Sequence, residues 1–289
     1  MRWDHETGAA LLVELENYYD TVPRSNARAE ELGPLTLFVR EGAGWPYYAR
    51  PTLTGPGSVT ADVVAVGAVT ADAVARVRAR QRELGVPESF EWVAETTPAL
   101  RAAAEEAGLT VREHPLMVLD PDRAPAGVPE TGDGVRVRIL EPGDPALPSA
   151  LAVPHLAFAE PGTATGPAGP PELAAAVRRA AADGTTAAME ERMRAGRVRI
   201  AAAVTPEGLA LCSGQHQPVG PVTEVVGVGT LPSARRRGLG AAVTAALAAD
   251  ARARGAHTVF LSAGDEEIAR LYARLGFRRV GTALIAEAD

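Results

Sequence analysis

The chain has 289 residues, of which 46% are hydrophobic and 22% charged, a formal net charge of -7 and one cysteine, Cys212. Its length exceeds the roughly 100–200 residues of a typical domain, so two modest cores are expected, and the composition excludes disordered and fibrous classes. The acidic balance disfavours a duplex nucleic-acid partner, and a lone thiol excludes both an intrachain disulfide and a multi-cysteine metal site while fitting a reducing, cytoplasmic setting.

In chain order, the start MRWDHETGAA carries acidic residues and does not read as a secretory signal. The stretch Gly42–Pro51 clusters Trp45, Tyr47 and Tyr48 beside prolines, as pocket lining or as packing. A helix closes at Gly85, a strand follows around Phe90, and a second helix opens at Thr97-Pro98 and closes at Gly108. Residues 120–134, DPDRAPAGVPETGDG, lack any apolar period and read as an exposed linker. The expected domains are therefore 1–124 and 135–289, joined by 125–134.

Beyond the linker, Val135–Leu140 alternates as a strand, and two helical stretches flank a break at Pro161–Pro171. Strands are expected near Arg197–Val204, Leu209–Gly214 and Thr223–Thr230, then a helix from Gly238 to Arg254 and a strand at His257–Ser262. A helix over Asp265–Leu275 and a strand over Phe277–Ala286 end the chain. No segment reaches the ~18 apolar residues that span a bilayer, so no membrane partner is expected.

The two halves resemble one another. At a shift of 170 residues Arg78–Gly85 overlays Ala248–Gly255 and Phe90 overlays Phe260; at 168, Ala107-Gly108-Leu109 overlays Leu275-Gly276-Phe277. Both pairs read as a helix stopped by glycine and followed by an apolar strand, and together they predict a duplicated fold.

The chemistry is concentrated in Thr223–Leu247, TEVVGVGTLPSARRRGLGAAVTAAL: a strand, a turn marked by proline, an Arg/Gly loop and a helix of small residues. Gly238 and Gly240 let the backbone approach a ligand, and the free N–H groups of the helix's first turn, backed by its dipole, favour an anion such as a pyrophosphate. Arg235, Arg236 and Arg237 add positive charge there, although one or two of them facing water is the plainer reading. A Walker loop needs a lysine that is absent, and a dinucleotide fingerprint needs a glycine where Val243 stands.

What remains, Arg235-x-x-Gly238-x-Gly240 after Thr230-Leu231-Pro232, resembles the acetyl-CoA signature of the GNAT superfamily of N-acyltransferases. The segment Asp265–Phe277, DEEIARLYARLGF, resembles that family's second signature, a helix carrying Tyr and ending in Leu-Gly-Phe. The resemblance covers Val135–Asp289 and, with the repeat, implies an α/β fold. Two GNAT-like lobes are expected, each a mostly antiparallel twisted sheet flanked by helices, in a tandem layout similar to mycothiol synthase. At the matching positions the first half has Ala65–Thr70 for the loop and Ala104 for Tyr272, so it is expected to be a degenerate lobe.

The resemblance further implies that acetyl-CoA is held by Val228, Gly229, Thr230, Arg235, Arg236, Arg237, Gly238, Leu239, Gly240 and Ala241. Asp265 occupies the position where many members have Asn, which leaves its part in holding the cofactor open. Strand Val225–Thr230 would splay from its neighbour, with an N–H near Val228 or Gly229 donating to the thioester oxygen. Tyr272 would protonate the leaving thiolate. Its spacing also allows a plain core residue, on one helix face with Ile268, Leu271 and Leu275. Glu224, eleven positions before Arg235, is the candidate base, the alternative being an ordinary strand residue at a solvent edge. Strict alternation would put Glu224, Val226, Val228 and Thr230 on one face. His216 and His155 read as surface or loop residues, and Cys212 as an inert buried thiol.

The activity so implied is transfer of an acetyl group from acetyl-CoA to a primary amine, expected to belong to a small molecule. The alternatives are a non-catalytic acyl-CoA-binding or regulatory protein and a protein N-acetyltransferase. Neither the acceptor nor the oligomeric state is legible in the sequence.

Overall fold

A computed structural model describes residues 5–42, 44–53, 68–122, 134–182 and 184–288. The expected linker 125–134, apart from Gly134, lies outside the described residues, as do residues 65–67 of the Ala65–Thr70 stretch. The chain forms two compact units. The first holds Met1–Met117, Ser262–Ala269 and Arg279–Asp289, the second Val118–Leu261 and Arg270–Arg278. The units thus depart from the division at 135–289, because two late segments count with the first.

The first unit contains helix α1 (His5–Arg24), strands β1 (Ala27–Leu32), β2 (Leu35–Arg40) and β3 (Ala49–Pro51), and α2 (Ala71–Leu84). β4 (Ser89–Val93), α3 (Ala99–Glu106) and most of β5 (Thr110–Leu119) follow. The last strand of the chain, β11 (Phe277–Glu287), pairs antiparallel with β4 inside this unit, Ala286 opposite Phe90. The reason is apolar. Leu284 and Ala286 are buried in one cluster with Phe90, Trp92, Val74, Val77 and Leu100, and each such side chain stabilises by about 1.5–3 kcal/mol when withdrawn from water. On the opposite side α1 is clasped by Glu16, which accepts from the Arg50 guanidinium, from Val93 N at 3.0 Å and from Thr96 Oγ1 at 2.6 Å. Such a buried charge is tolerated only because its oxygens are occupied.

The second unit contains β6 (Arg136–Leu140), α4 (Leu147–Ala159), α5 (Pro170–Ala182), α6 (Thr185–Arg194), β7 (Arg199–Val204), β8 (Ala210–Val219) and β9 (Val222–Thr230). A 3-10 turn at Pro232–Ala234, α7 (Leu239–Ala253) and β10 (Thr258–Ser262) follow, and α8 (Glu266–Arg274) ends here. Where two helices were expected before β7 there are three, because Gly184, at φ 77°, breaks the second stretch into α5 and α6. β8 runs past Gly214 to a hairpin at Gly220-Pro221, longer than its glycine had indicated.

The neighbours run β1-β2-β3-β4-β11-β5 in the first unit and β6-β7-β8-β9-β10 in the second. Within each unit the pairing is mostly antiparallel, but β3 with β4 and β9 with β10 are parallel, bridged by α2 and α7 respectively. The order three strands, helix, strand, helix, strand therefore occurs twice, with Phe90 and Phe260 on the parallel rungs. The duplicated mixed α/β fold expected from the repeat is the observed one.

Candidate active site

β9 is not one regular strand. Gln217 of β8 stands opposite Glu224, Gln215 opposite Val226, and Ser213 opposite Gly229, so β9 spends one residue more than β8 between the last two rungs. The extra residue is accommodated at Gly227, whose φ of 64° only glycine adopts freely. Such a bulge reverses the alternation. Glu224, Val226 and Gly229 share one face, and Val225 and Thr230 the other, which corrects the expectation that Glu224 and Thr230 face the same way.

The two faces carry different helices. α4 lies over the Glu224 face: Ser213 Oγ donates to Ala150 O at 2.5 Å, and a Cβ built on Gly229 would meet Ala157 Cβ and Pro154 Cα at 2.9 Å. Gly229 is therefore glycine because the backbone of α4 passes against it. α7 covers the other face, with a Leu247 methyl 3.2 Å from where a Gly214 Cβ would stand.

Pairing between β9 and β10 runs from Val222↔Thr258 to Glu224↔Phe260, and β9 continues to Thr230 along β8 alone. Glu224, buried, thus sits on the final shared rung, and the pairing with β10 ends there. This is the divergence the resemblance implied, with Val228 and Gly229 on the free stretch.

At the far end of β9 the turn through Arg235 leads into α7. Gly238, at φ 75°, begins the helix with no side-chain cap, and the first helical bond is Ala242 N to Gly238 O at 3.1 Å. The amides of Leu239, Gly240 and Ala241 precede that bond and carry the positive end of a 15-residue helix, equivalent to about half an elementary charge. Leu239 is buried, whereas Gly240 and Ala241 are half-buried. Arg236 sits in the left-handed region at φ 66° and is exposed, as is Arg237. A non-glycine residue there costs roughly 1–3 kcal/mol and persists where the surroundings dictate it. Arg235 is turned elsewhere. Its guanidinium donates to Ala164 O (3.0 Å), Ala157 O (2.9 Å) and Glu160 O (2.5 Å).

Tyr272 is half-buried and stacks at a tilt on Phe277, ring centroids 6.0 Å apart. Desolvation pushes its phenol up to about 12, with the neighbouring Cys212 adding to the rise and a hydrogen bond with Thr244 opposing it. Thr244 Oγ1 in turn donates to Gly240 O at 2.9 Å, and Thr230 Oγ1 donates to the Cys212 thiol at 3.2 Å. Thr244, Cys212 and Thr230 thereby gather the Tyr272 hydroxyl to the start of α7 and the end of β9. Burial pushes the Cys212 thiol itself up to about 12, as expected of an inert buried cysteine. Leu271, placed by spacing on the Tyr272 face, is instead exposed.

Asp265 belongs to the segment counted with the first unit, where its carboxylate accepts from Ile268 N at 2.8 Å and caps α8. His216 corrects a second expectation. It is buried in β8, its Nδ1 2.9 Å from Thr223 Oγ1 and its Nε2 3.0 Å from Asp250, which also pairs with Arg254 at 2.9 Å. Desolvation lowers the imidazole pKa despite the Asp250 carboxylate. The signal lay in alternation from Cys212 through Gly214, had the strand been carried past that glycine. His155, on α4, is exposed. In the first unit Tyr47 donates to Asn26 Oδ1 at 2.7 Å and Tyr48 packs edge-on against it, so these two are packing residues; Trp45 is exposed.

Sequence reasoning missed Thr244 and Gly227. The first resembles any small residue of an Ala-rich helix, and the second is one glycine among many.

The model of the FR47-like protein family matches residues 210–284. None of the curated proteins matches the chain. Among solved structures, a GCN5-related N-acetyltransferase from Kribbella flavida is 22% identical, covering 96% of this chain and 95% of its own, with a TM-score of 0.63. A tandem GNAT protein from the clavulanic acid biosynthesis pathway is 18% identical over 99% of this chain and 95% of its own, at 0.57. A GNAT-family protein from Novosphingobium aromaticivorans is 20% identical over 99% of this chain and 100% of its own, at 0.52. The fold is that of the GNAT acyltransferases. Within that class it has the tandem layout, two lobes on one chain, and among the described residues no helix is long and apolar enough to cross a membrane.

Proposed function

We propose that the protein is an N-acetyltransferase, moving an acetyl group from acetyl-CoA to a primary amine of a small molecule within its second unit. The observation that carries this is the uncapped start of α7. Gly238 opens it in a left-handed conformation, Arg236 and Arg237 stand exposed beside it, and it lies at the end of the strand that parts from β10 after Glu224.

In this reading the amides of Leu239, Gly240 and Ala241 receive the pyrophosphate, with the Arg236 and Arg237 cations beside it. The acyl-pantetheine arm enters where β9 leaves β10, and a main-chain N–H at Val228 or Gly229 donates to the thioester oxygen. Glu224 accepts a proton from the acceptor's ammonium group, and the free amine attacks the acetyl carbon. As the carbon–sulfur bond breaks, Tyr272 donates its proton to the departing thiolate, and the phenolate so formed takes up the proton that the new amide nitrogen sheds. A phenol held near 12 remains protonated throughout the neutral range and is suited to act as an acid. Holding both reactants at one gap supplies much of the rate.

The test is calorimetric titration of acetyl-CoA into the intact chain, followed by a screen of small amines for release of the CoA thiol. Saturable binding and amine-dependent thiol release are expected. Binding without turnover on any amine would leave an acyl-CoA-binding protein, and no binding would end the reading.

A further inference from the structure

The Pro/Gly stretch 161–169 matched no motif, yet it is tied at several points to the turn that precedes α7. Gly166 N donates to Pro232 O at 3.1 Å and Ser233 N donates to Ala168 O at 3.0 Å. Gly169 N is capped by Glu172 Oε2 at 2.8 Å, which starts α5. A side chain at Gly166 would displace the Glu160 carboxylate and stand 3.1 Å from Pro232 Cβ, so the strap lies close against the turn there. Across the base of this strap reaches Arg235, one guanidinium serving three carbonyl oxygens, those of Ala157 and Glu160 at the end of α4 and that of Ala164 in the strap. Charge-assisted bonds of this kind are about twice as strong as neutral ones, and the carbonyl end of a helix welcomes a cation.

α4 lies on the sheet face that carries Glu224, and the strap leaves from its C-terminal end. Arg235 therefore links two things: the loop that opens the anion site and the wall over the face bearing the candidate base.

We infer that Arg235 is a positioning residue that does not bind phosphate but ties the acceptor-side wall, residues 157–169, to the phosphate loop, so that filling the loop stiffens the wall. The second half of this inference rests on the acetyl-transfer reading; the first does not. Because a ligand orders whatever is bonded to its site, occupancy at α7 is felt in the strap as long as the Arg235 bonds hold.

Hydrogen exchange on the intact chain tests both halves, with and without saturating CoA, for the unaltered protein and for Arg235→Ala, Arg235→Lys and Gly166→Ala. Without ligand, amides of 161–169 in Arg235→Ala should exchange at least about tenfold faster than in the unaltered chain, while those of β7 and β8 keep their rates. Arg235→Lys, which keeps the charge but loses the planar fork, should fall between, and Gly166→Ala should loosen the same amides with Arg235 in place. With CoA, the unaltered strap should gain protection, whereas Arg235→Ala should bind CoA within about threefold of the unaltered affinity and gain none. Unchanged strap exchange in Arg235→Ala would overturn the inference, and so would loss of CoA affinity as deep as that of Gly238→Asp, since Arg235 would then be a phosphate ligand. If the unaltered chain binds no CoA, the acetyl-CoA reading fails and with it the coupling, while the unliganded exchange still decides what Arg235 holds.

Discussion

The two helices that follow the parallel crossovers, α2 and α7, start in opposite ways. At α2 the Thr70 hydroxyl accepts from Ala73 N at 3.3 Å, and Asp72 occupies the first turn. At α7 a glycine stands where the cap would be, with no acid in the first turn and three arginines just before it. One helix satisfies its own amides and sets a negative charge over them; the other leaves them for an external anion. The comparison extends along each lobe. The residue on the parallel rung with Phe90 is Ala49, whereas the one on the rung with Phe260 is Glu224. The residue aligned with Tyr272 is Ala104, buried among Phe90, Trp92 and Leu100. Both lobes are folded by apolar contacts of the same kind, and among the described residues the candidate groups for chemistry stand in the second.

The comparison breaks most sharply at Gly238. Gly238→Asp places a carboxylate and a strained φ at the start of α7, and should weaken acetyl-CoA binding by at least about a hundredfold by calorimetry, since repulsion and lost dipole contacts act together. Next, Tyr272→Phe and Glu224→Gln should each lower amine-dependent thiol release by about 10²- to 10⁴-fold while leaving acetyl-CoA affinity within a few-fold. Loss of binding instead would make them structural. Thr244→Val should give a smaller drop, of roughly five- to tenfold in turnover, because it removes only a hydrogen bond that orients the Tyr272 hydroxyl.

His216 sharpens the comparison through pH. Its folded pKa lies below the ordinary value of 6.5, so the unfolded chain takes up the proton first. Stability present above about 6.5 should therefore decline as the pH falls through that value, and His216→Asn should flatten that part of a melting-temperature profile. The smallest effect is expected at α2, where Thr70→Ala removes a cap and should cost about 1 kcal/mol in denaturant unfolding, with acetyl-CoA affinity unchanged.

Much of this was legible along the chain. The glycine stops at Gly85, Gly108, Gly255 and Gly276 lie at or just beyond the ends of their helices, because a left-handed residue is needed wherever a helix closes and only glycine adopts it freely. The loop from Arg235 to Gly240 was readable for the same reason, a local backbone demand written in residue type. The opposed faces of Glu224 and Thr230 were not, because one bulge at Gly227 inverts every side chain beyond it and the sequence does not mark which glycine hosts it. Nor were the burial of His216, the capping by Asp265 or the use of Arg235, since each depends on partners distant in sequence or on competition between equally plausible local bonds.

By itself the sequence determined the order of elements from the helix closed by Gly85 to β5 and from β6 onward, with α5 and α6 taken as one stretch, together with the repeat and a candidate anion-binding loop, all of which follow from nearest-neighbour geometry and apolar period. Only the tertiary structure decided that β11 completes the sheet of the first unit, that α4 presses on Gly229, and that the Arg235 guanidinium serves three carbonyls. Those outcomes depend on which surfaces meet, and a meeting between segments some 70 to 190 residues apart leaves no periodic trace in either one.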